Sequence, residues 1–263
     1  MAVRNVVVFA ATGAVGAAVA AAEAVAGTRL WLSARDLGKL EALAAELTAR
    51  GARVEVARVD ATDQGAVDRY VDGIAEAVRA QGERIDAGFN GIGLTAAEGG
   101  YPSRTADTDV AVFARPLDTI LRSAFITTRA LGRVMMAQGH GAIVLVTSAL
   151  AGSQMPWMAG LTATSAAIEG LVRTLAAEFG VAGVRVNCVR ADAMPETPSI
   201  ARTGAAAEAN GITREAFGRY VGLSLLGRPN SARQTAALIS FLLSDVADAV
   251  TYQTFNAAAR PLA

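Results

Sequence analysis

The chain has 263 residues, just over half of them hydrophobic, with 24 basic side chains balanced by 24 acidic ones. That length suits one large α/β domain with a well-buried core, and the balance of charge leaves no field to draw in nucleic acid or an anionic membrane. A single cysteine, Cys188, excludes an internal disulfide, and no Cys/His cluster has metal-ligand spacing, so a cytoplasmic protein without a metal is expected.

The opening "MAVRNVVVFAATGAVG" reads as a strand over 6–10 running into a turn, too short and glycine-punctuated for a signal peptide or a membrane span. Gly13 and Gly16 then stand at the start of a helix over 14–26. Glycines there let backbone N–H groups and the positive helix end approach a phosphate, which makes Thr12, Gly13, Val15 and Gly16 a candidate pyrophosphate cradle. The alternative is a plain tight turn, and Ala10 stands where a first glycine belongs, with a methyl that can crowd it.

A second strand over 29–33 ends in "LWLSARD", with Ser33 and Arg35 at its tip and a helix over 37–50 beyond. A hydroxyl and a guanidinium suit a 2′-phosphate in charge and geometry; Arg35 reads equally as a solvated helix-start residue. The third strand, over 54–59, leads to Asp60 and Ala61, and a helix over 64–80 follows. Asp60 either accepts a bond from an adenine amino group or caps that helix. The fourth strand, over 87–90, ends at Asn90 and Gly91.

A long helix over 116–136, a fifth strand over 142–147 ending near Ser148, a helix over 158–179 and a sixth strand over 184–189 complete the regular pattern. Short β-branched runs alternating with helical periods predict a parallel, doubly wound, Rossmann-type sheet flanked by helices in a single domain. The stretch from about 190 to 230 is rich in breakers and reads as a loop with short helices over the strands' C-terminal ends, where ligands bind in such sheets. A last helix over 231–243 leads to a short tail.

The glycine turn, "VDATD", "FNGIG", "GAIVLVTS", "LVRTLAAEFGVAGVRVN", "LLGRP" and "FLLSDVADAV", in this order and separation, resemble the short-chain dehydrogenase/reductase family over nearly the whole chain. The resemblance implies a dinucleotide site, and if any dinucleotide binds this chain, Arg35 favours NADP(H) over NAD(H). It also implies a small-molecule substrate, and a homodimer or homotetramer built on the two long helices. In that family a tyrosine exchanges the carbonyl proton, and a lysine four residues later depresses its pKa. A serine polarises the carbonyl, and an asparagine on the preceding helix anchors a water relay. A phenol with a pKa of about 10 needs such a cation to serve as a base at neutral pH.

Carried over by position, Ser148 holds the serine place, Leu161 the tyrosine place, Ser165 the lysine place and Ile120 the asparagine place. The usual Pro-Gly pair after the sixth strand is replaced by Ala191 and Asp192. The catalytic candidate is therefore Ser148, which either bonds a ligand oxygen or caps the next turn. Among substitutes for the missing acid, Lys39 lies at the adenosine end, and Tyr220 lies in the irregular segment. His140 falls away from the site, Cys188 inside a strand, and Asp192 and Glu196 at the rim. The leading expectation is a redox-impaired homologue that binds a small apolar ligand or promotes a non-redox step by positioning. The alternatives are an NADP(H)-dependent oxidoreductase with a non-standard proton donor, and a structural partner of an active paralogue.

Overall fold

In a computed structural model describing residues 3–221 and 225–258, seven parallel strands form one sheet in the order β3-β2-β1-β4-β5-β6-β7. They are β1 Arg4–Phe9, β2 Thr28–Ala34, β3 Arg53–Arg58, β4 Ile85–Asn90, β5 Gly141–Ser148, β6 Val184–Ala191 and β7 Thr254–Ala257. The long helices α1 Ala14–Glu23, α2 Leu37–Ala49 and α3 Gln64–Arg79 follow the first three strands. Short α4 (Ala96–Gly99), α5 (Val110–Pro116) and α6 (Arg122–Gln138) join β4 to β5, and α7 (Ala159–Gly180) joins β5 to β6. Two apolar layers sandwich the sheet, one holding Val7, Phe9, Leu131, Ile143 and Val186, the other Val6, Val8, Leu30, Leu32 and Ile239. The direction of winding reverses between β1 and β4. In doubly wound sheets the ligand crevice opens outside the strand ends at such a reversal.

The expected Rossmann-type architecture is thus the observed one, with three corrections. The helix expected from residue 116 begins at Val110, where Asp109 accepts a bond from the Ala111 N–H at 2.7 Å. Pro116 lies inside the run: lacking an N–H it cannot continue the ladder, and the chain passes through a π turn at Leu117–Leu121 before α6 resumes. The first helix stops at Glu23 rather than at 26. The tail after 243 contains β7, a seventh strand that its own pattern did not reveal. It is held by docking: the Arg185 guanidinium donates to the carbonyls of Leu242, Ser244 and Val250, and buried Asn187 binds the Val250 carbonyl and the Gln253 N–H. The segment expected as a loop with short helices carries α8 Pro198–Ala209 and α9 Arg214–Gly218, before α10 Ala232–Leu243, which Ser231 caps.

Ala10 leaves the sheet in the left-handed region, at φ 57°. The backbone thus takes a shape that favours glycine, at roughly 1–2 kcal/mol for an L-residue. Behind it Gly16 is buried, and a Cβ there would stand 2.2 Å from the Ala10 carbonyl oxygen. Gly16→Ala is therefore expected to lower stability by about 1–3 kcal/mol in urea unfolding; an unchanged midpoint would show that the turn does not need this close approach.

Candidate functional site

At the β1 end, α1 starts at Gly13 with no side-chain cap, whereas Asp36 and Asp63 cap α2 and α3 by accepting from the N–H groups of Lys39 and Ala66. The first N–H groups of α1 are therefore open to an anion. Thr12 and Val15 are half-buried and Gly13 is exposed, so the turn presents its backbone to the crevice. These residues fit the pyrophosphate of a dinucleotide.

At the β2 end the expected pair separates. Ser33 is buried, 1% exposed, so its hydroxyl is closed to a phosphate, while the Arg35 side chain is 68% exposed and pairs with Glu98 at 3.4 Å. Asp60 accepts from the backbone N–H and the hydroxyl of Thr62, at 2.9 and 2.7 Å. These bonds, with a smaller contribution from Arg35, hold its carboxyl below the usual range. The helix cap is Asp63, not Asp60. Ala61 packs half-buried on the core. Asn90 is buried and braces β4 on α6: its amide donates to the Thr127 hydroxyl at 2.6 Å and to the Ser123 carbonyl, and its oxygen accepts from Ile92 N–H. Gly91 stands beside Phe89, 2.7 Å from where its Cβ would fall, and lines the main cavity.

That cavity, about 270 Å³, opens past the ends of β4, β5 and β6. It brings together all the positions predicted around the opening of α7: Ile120, Ser148, Leu161 and Ser165 line one space. Ile120 falls in the π turn, and its side chain adds only hydrocarbon. Leu161 packs against the core, and Met155, Met158, Ile168, Ile200 and Phe217 extend the apolar wall. Among the described lining residues Asp192 alone carries a charge, and its carboxylate accepts from Ala193 N–H.

The cavity's hydroxyls are mostly committed. Ser165 donates to the Leu161 carbonyl at 2.9 Å, Thr197 to Met194, and Thr203 to Ser199, while Thr147 shares a bond with the Cys188 thiol. Two are not. The exposed Ser199 hydroxyl has no hydrogen bond among the described residues; the Ser148 Oγ accepts from Leu150 N–H at 3.2 Å, capping the following turn, and its own O–H finds no protein acceptor there. Ser148 therefore caps the turn, as the second reading had it, and also lines the cavity.

Tyr101, which the sequence did not single out, also lines the cavity. It donates to the Leu94 carbonyl at 2.6 Å, and burial pushes its pKa up to about 12, the wrong direction for a general base. Tyr220 packs edge-on against Trp157. Glu196 accepts from Ala232 N–H at the start of α10. Lys39 pairs with Asp36 on α2, and His140 stands at the opposite end of the sheet, 3.7 Å from Asp86, its pKa lowered by burial. Cys188 is fully buried, and burial raises its thiol pKa to about 12. It should resist a disulfide reagent in the native protein at neutral pH and react on unfolding; rapid native labelling would contradict its core role. Among the described residues no group of three or more His, Cys, Asp or Glu could hold a metal, and no helix is long and apolar enough to cross a membrane.

A parallel sheet with its crevice at the β1/β4 reversal, an uncapped first helix and a serine at the end of β5 define a Rossmann-fold protein of the short-chain dehydrogenase/reductase type. A family model described as enoyl-(acyl carrier protein) reductase matches residues 10–257, and the chain belongs to this family. It is 28% identical to levodione reductase of Leifsonia aquatica over 94% of this chain and 90% of that protein. It is 29% identical to cis-4-hydroxycyclohexanecarboxylate dehydrogenase of Sinomonas cyclohexanicum over 94% and 92%. Its structure resembles that of NAD+-bound xylitol dehydrogenase with a TM-score of 0.87 at 25% identity, covering 97% of this chain and 98% of the other.

Proposed function

We propose that this chain is a redox-impaired member of its family that holds a small, uncharged, mostly apolar ligand by one acceptor oxygen. It either binds that ligand or promotes a non-redox step, such as cyclisation or elimination, by positioning it. The observation that carries this reading is the cavity's inventory: apolar walls, an uncommitted O–H at half-buried Ser148 with that of Ser199 at the exposed rim, and Leu161 and Ser165 where an acid and its activating cation would stand. An anionic ligand would meet no cationic side chain among the described lining residues, and burying it unpaired is costly. A ketone, lactone or ether oxygen needs only one donor, which Ser148 supplies.

The residues fit a dinucleotide unevenly. The adenosine and pyrophosphate end fits, through the α1 N-terminus, Gly13, Gly16 and exposed Arg35. The nicotinamide end does not: Ile120, Leu161 and Ser165 replace the groups that would hold the ribose and move a proton. A bound dinucleotide then serves as a wall of the ligand site. Calorimetric titration should show NADPH binding more tightly than NADH, with Arg35→Ala weakening NADPH roughly tenfold, the worth of one charge-assisted bond, and leaving NADH unchanged. Equal affinities would remove Arg35 from the site. Calorimetry with small neutral ketones and lactones should show binding that Ser148→Ala weakens, and binding indifferent to Ser148 would overturn the ligand assignment. Apolar residues on the long helices α6 and α7, exposed Phe125 among them, support self-association as a homodimer or homotetramer.

A further inference from the structure

The Arg35–Glu98 pair has a place that neither residue's neighbourhood in sequence suggests. Arg35 follows β2 and Glu98 lies on α4 beyond β4, and these two strands flank β1. The ion pair therefore crosses the end of β1, above the turn where α1 begins. Glu98 divides its carboxylate between two partners. One oxygen accepts from the Thr95 N–H at 2.9 Å and from its hydroxyl at 2.8 Å, completing a capping box, and the other takes Arg35. The Thr95 bonds, backed by Arg35, keep this carboxyl below its usual range, so the pair is charged at neutral pH.

We propose that Glu98 is a specificity-determining residue that opposes Arg35: its carboxylate occupies the guanidinium that a nucleotide 2′-phosphate would need, and the phosphate must take its place. This rests on the reading above that Arg35 faces the adenosine ribose. A 2′-hydroxyl nucleotide has no such competitor to displace, so Glu98 narrows the preference for the phosphorylated form. The side chains are 68% and 43% exposed, so the pair is weak enough to exchange. With Asp60 also close enough to feel Arg35, the cluster holds two carboxylates around one guanidinium. A phosphate arriving there meets repulsion as well as its anchor.

Glu98→Gln tests this cleanly, because glutamine keeps the capping box while its amide nitrogen offers Arg35 no acceptor. The probes are adenosine 2′,5′-bisphosphate and adenosine 5′-monophosphate, titrated calorimetrically into the unmodified chain and the variant at low and high salt. The variant should bind the bisphosphate about two- to fivefold more tightly at low salt, the gain should shrink at high salt, and the monophosphate should be unmoved. Equal bisphosphate affinity in the two proteins, or an equal gain for both probes, overturns the role of Glu98. If the fragments respond as stated but NADPH does not bind, the role stands and the dinucleotide reading falls. If neither protein binds either fragment, both fall together.

Discussion

Leu161→Tyr combined with Ser165→Lys is expected to raise NADPH-dependent reduction of a small neutral ketone by about 10²–10⁴-fold over the unmodified protein. Both positions face the same cavity as Ser148 and lie one helical turn apart on α7, so a phenol and an ammonium placed there meet each other and the ligand oxygen. Ser165 is nearly sealed, its hydroxyl spent on the Leu161 carbonyl, but a lysine stem would follow the cavity it already lines. Leu161→Tyr alone should gain far less. A phenol without its cation keeps a pKa of about 10, or higher in an apolar wall, as Tyr101 illustrates. Initial rates for the two variants check this. A double variant that binds NADPH yet reduces nothing would show that the lost pair is not what silences the site.

The second large effect concerns stability. The Arg190 guanidinium binds the Glu169 carboxylate through two nitrogens, at 2.6 and 2.7 Å, tying α7 to the end of β6 beside the cavity wall. Glu169 is 8% exposed and Arg190 20% at the side chain. Removing the carboxylate leaves a largely desolvated cation with its remaining bond to Asn256 at 3.4 Å. Allowing for the exposed fraction of Arg190, Glu169→Ala should cost about 2–3 kcal/mol, a fall of roughly 4–10 °C in Tm for a chain of this size. Glu169→Gln, which keeps one acceptor, should lose less. Scanning calorimetry decides it; a Tm unchanged by Glu169→Ala would mean that water replaces the carboxylate without cost.

Much of the architecture was legible because buried parallel strands write themselves as short β-branched runs, and β1 to β6 fall within two residues of where those runs lie. β7 was not legible, since four residues with half-buried and exposed side chains carry no pattern of their own and owe their conformation to Arg185 and Asn187. The helix start at Val110 was missed because Pro116 looked like a first residue and is an interior one. At the site, the family resemblance named the four positions that the fold brings into one cavity. It also exposed the missing chemistry there, because Leu, Ile and uncharged Ser are visible as residue types. It could not show that Ser33 is sealed, although a strand buried on both faces leaves few side chains open. Nor could it pair Arg35 with a carboxylate 63 positions away, or show that Ser148 caps a turn while its own O–H finds no acceptor among the described residues. Those depend on which neighbours the fold supplies.

The most direct test of the redox-impaired reading is single-turnover reduction by the unmodified protein. NADPH at saturating concentration is mixed with a panel of small neutral ketones, and loss of reduced nicotinamide absorbance is followed beside Ser148→Ala. The two proteins should be equally slow, near the uncatalysed rate, while calorimetry on the same ketones still reports binding that depends on Ser148. Rapid reduction by the unmodified protein that disappears in Ser148→Ala would contradict this, and would mean that the cavity contains a working proton donor other than the residue at position 161.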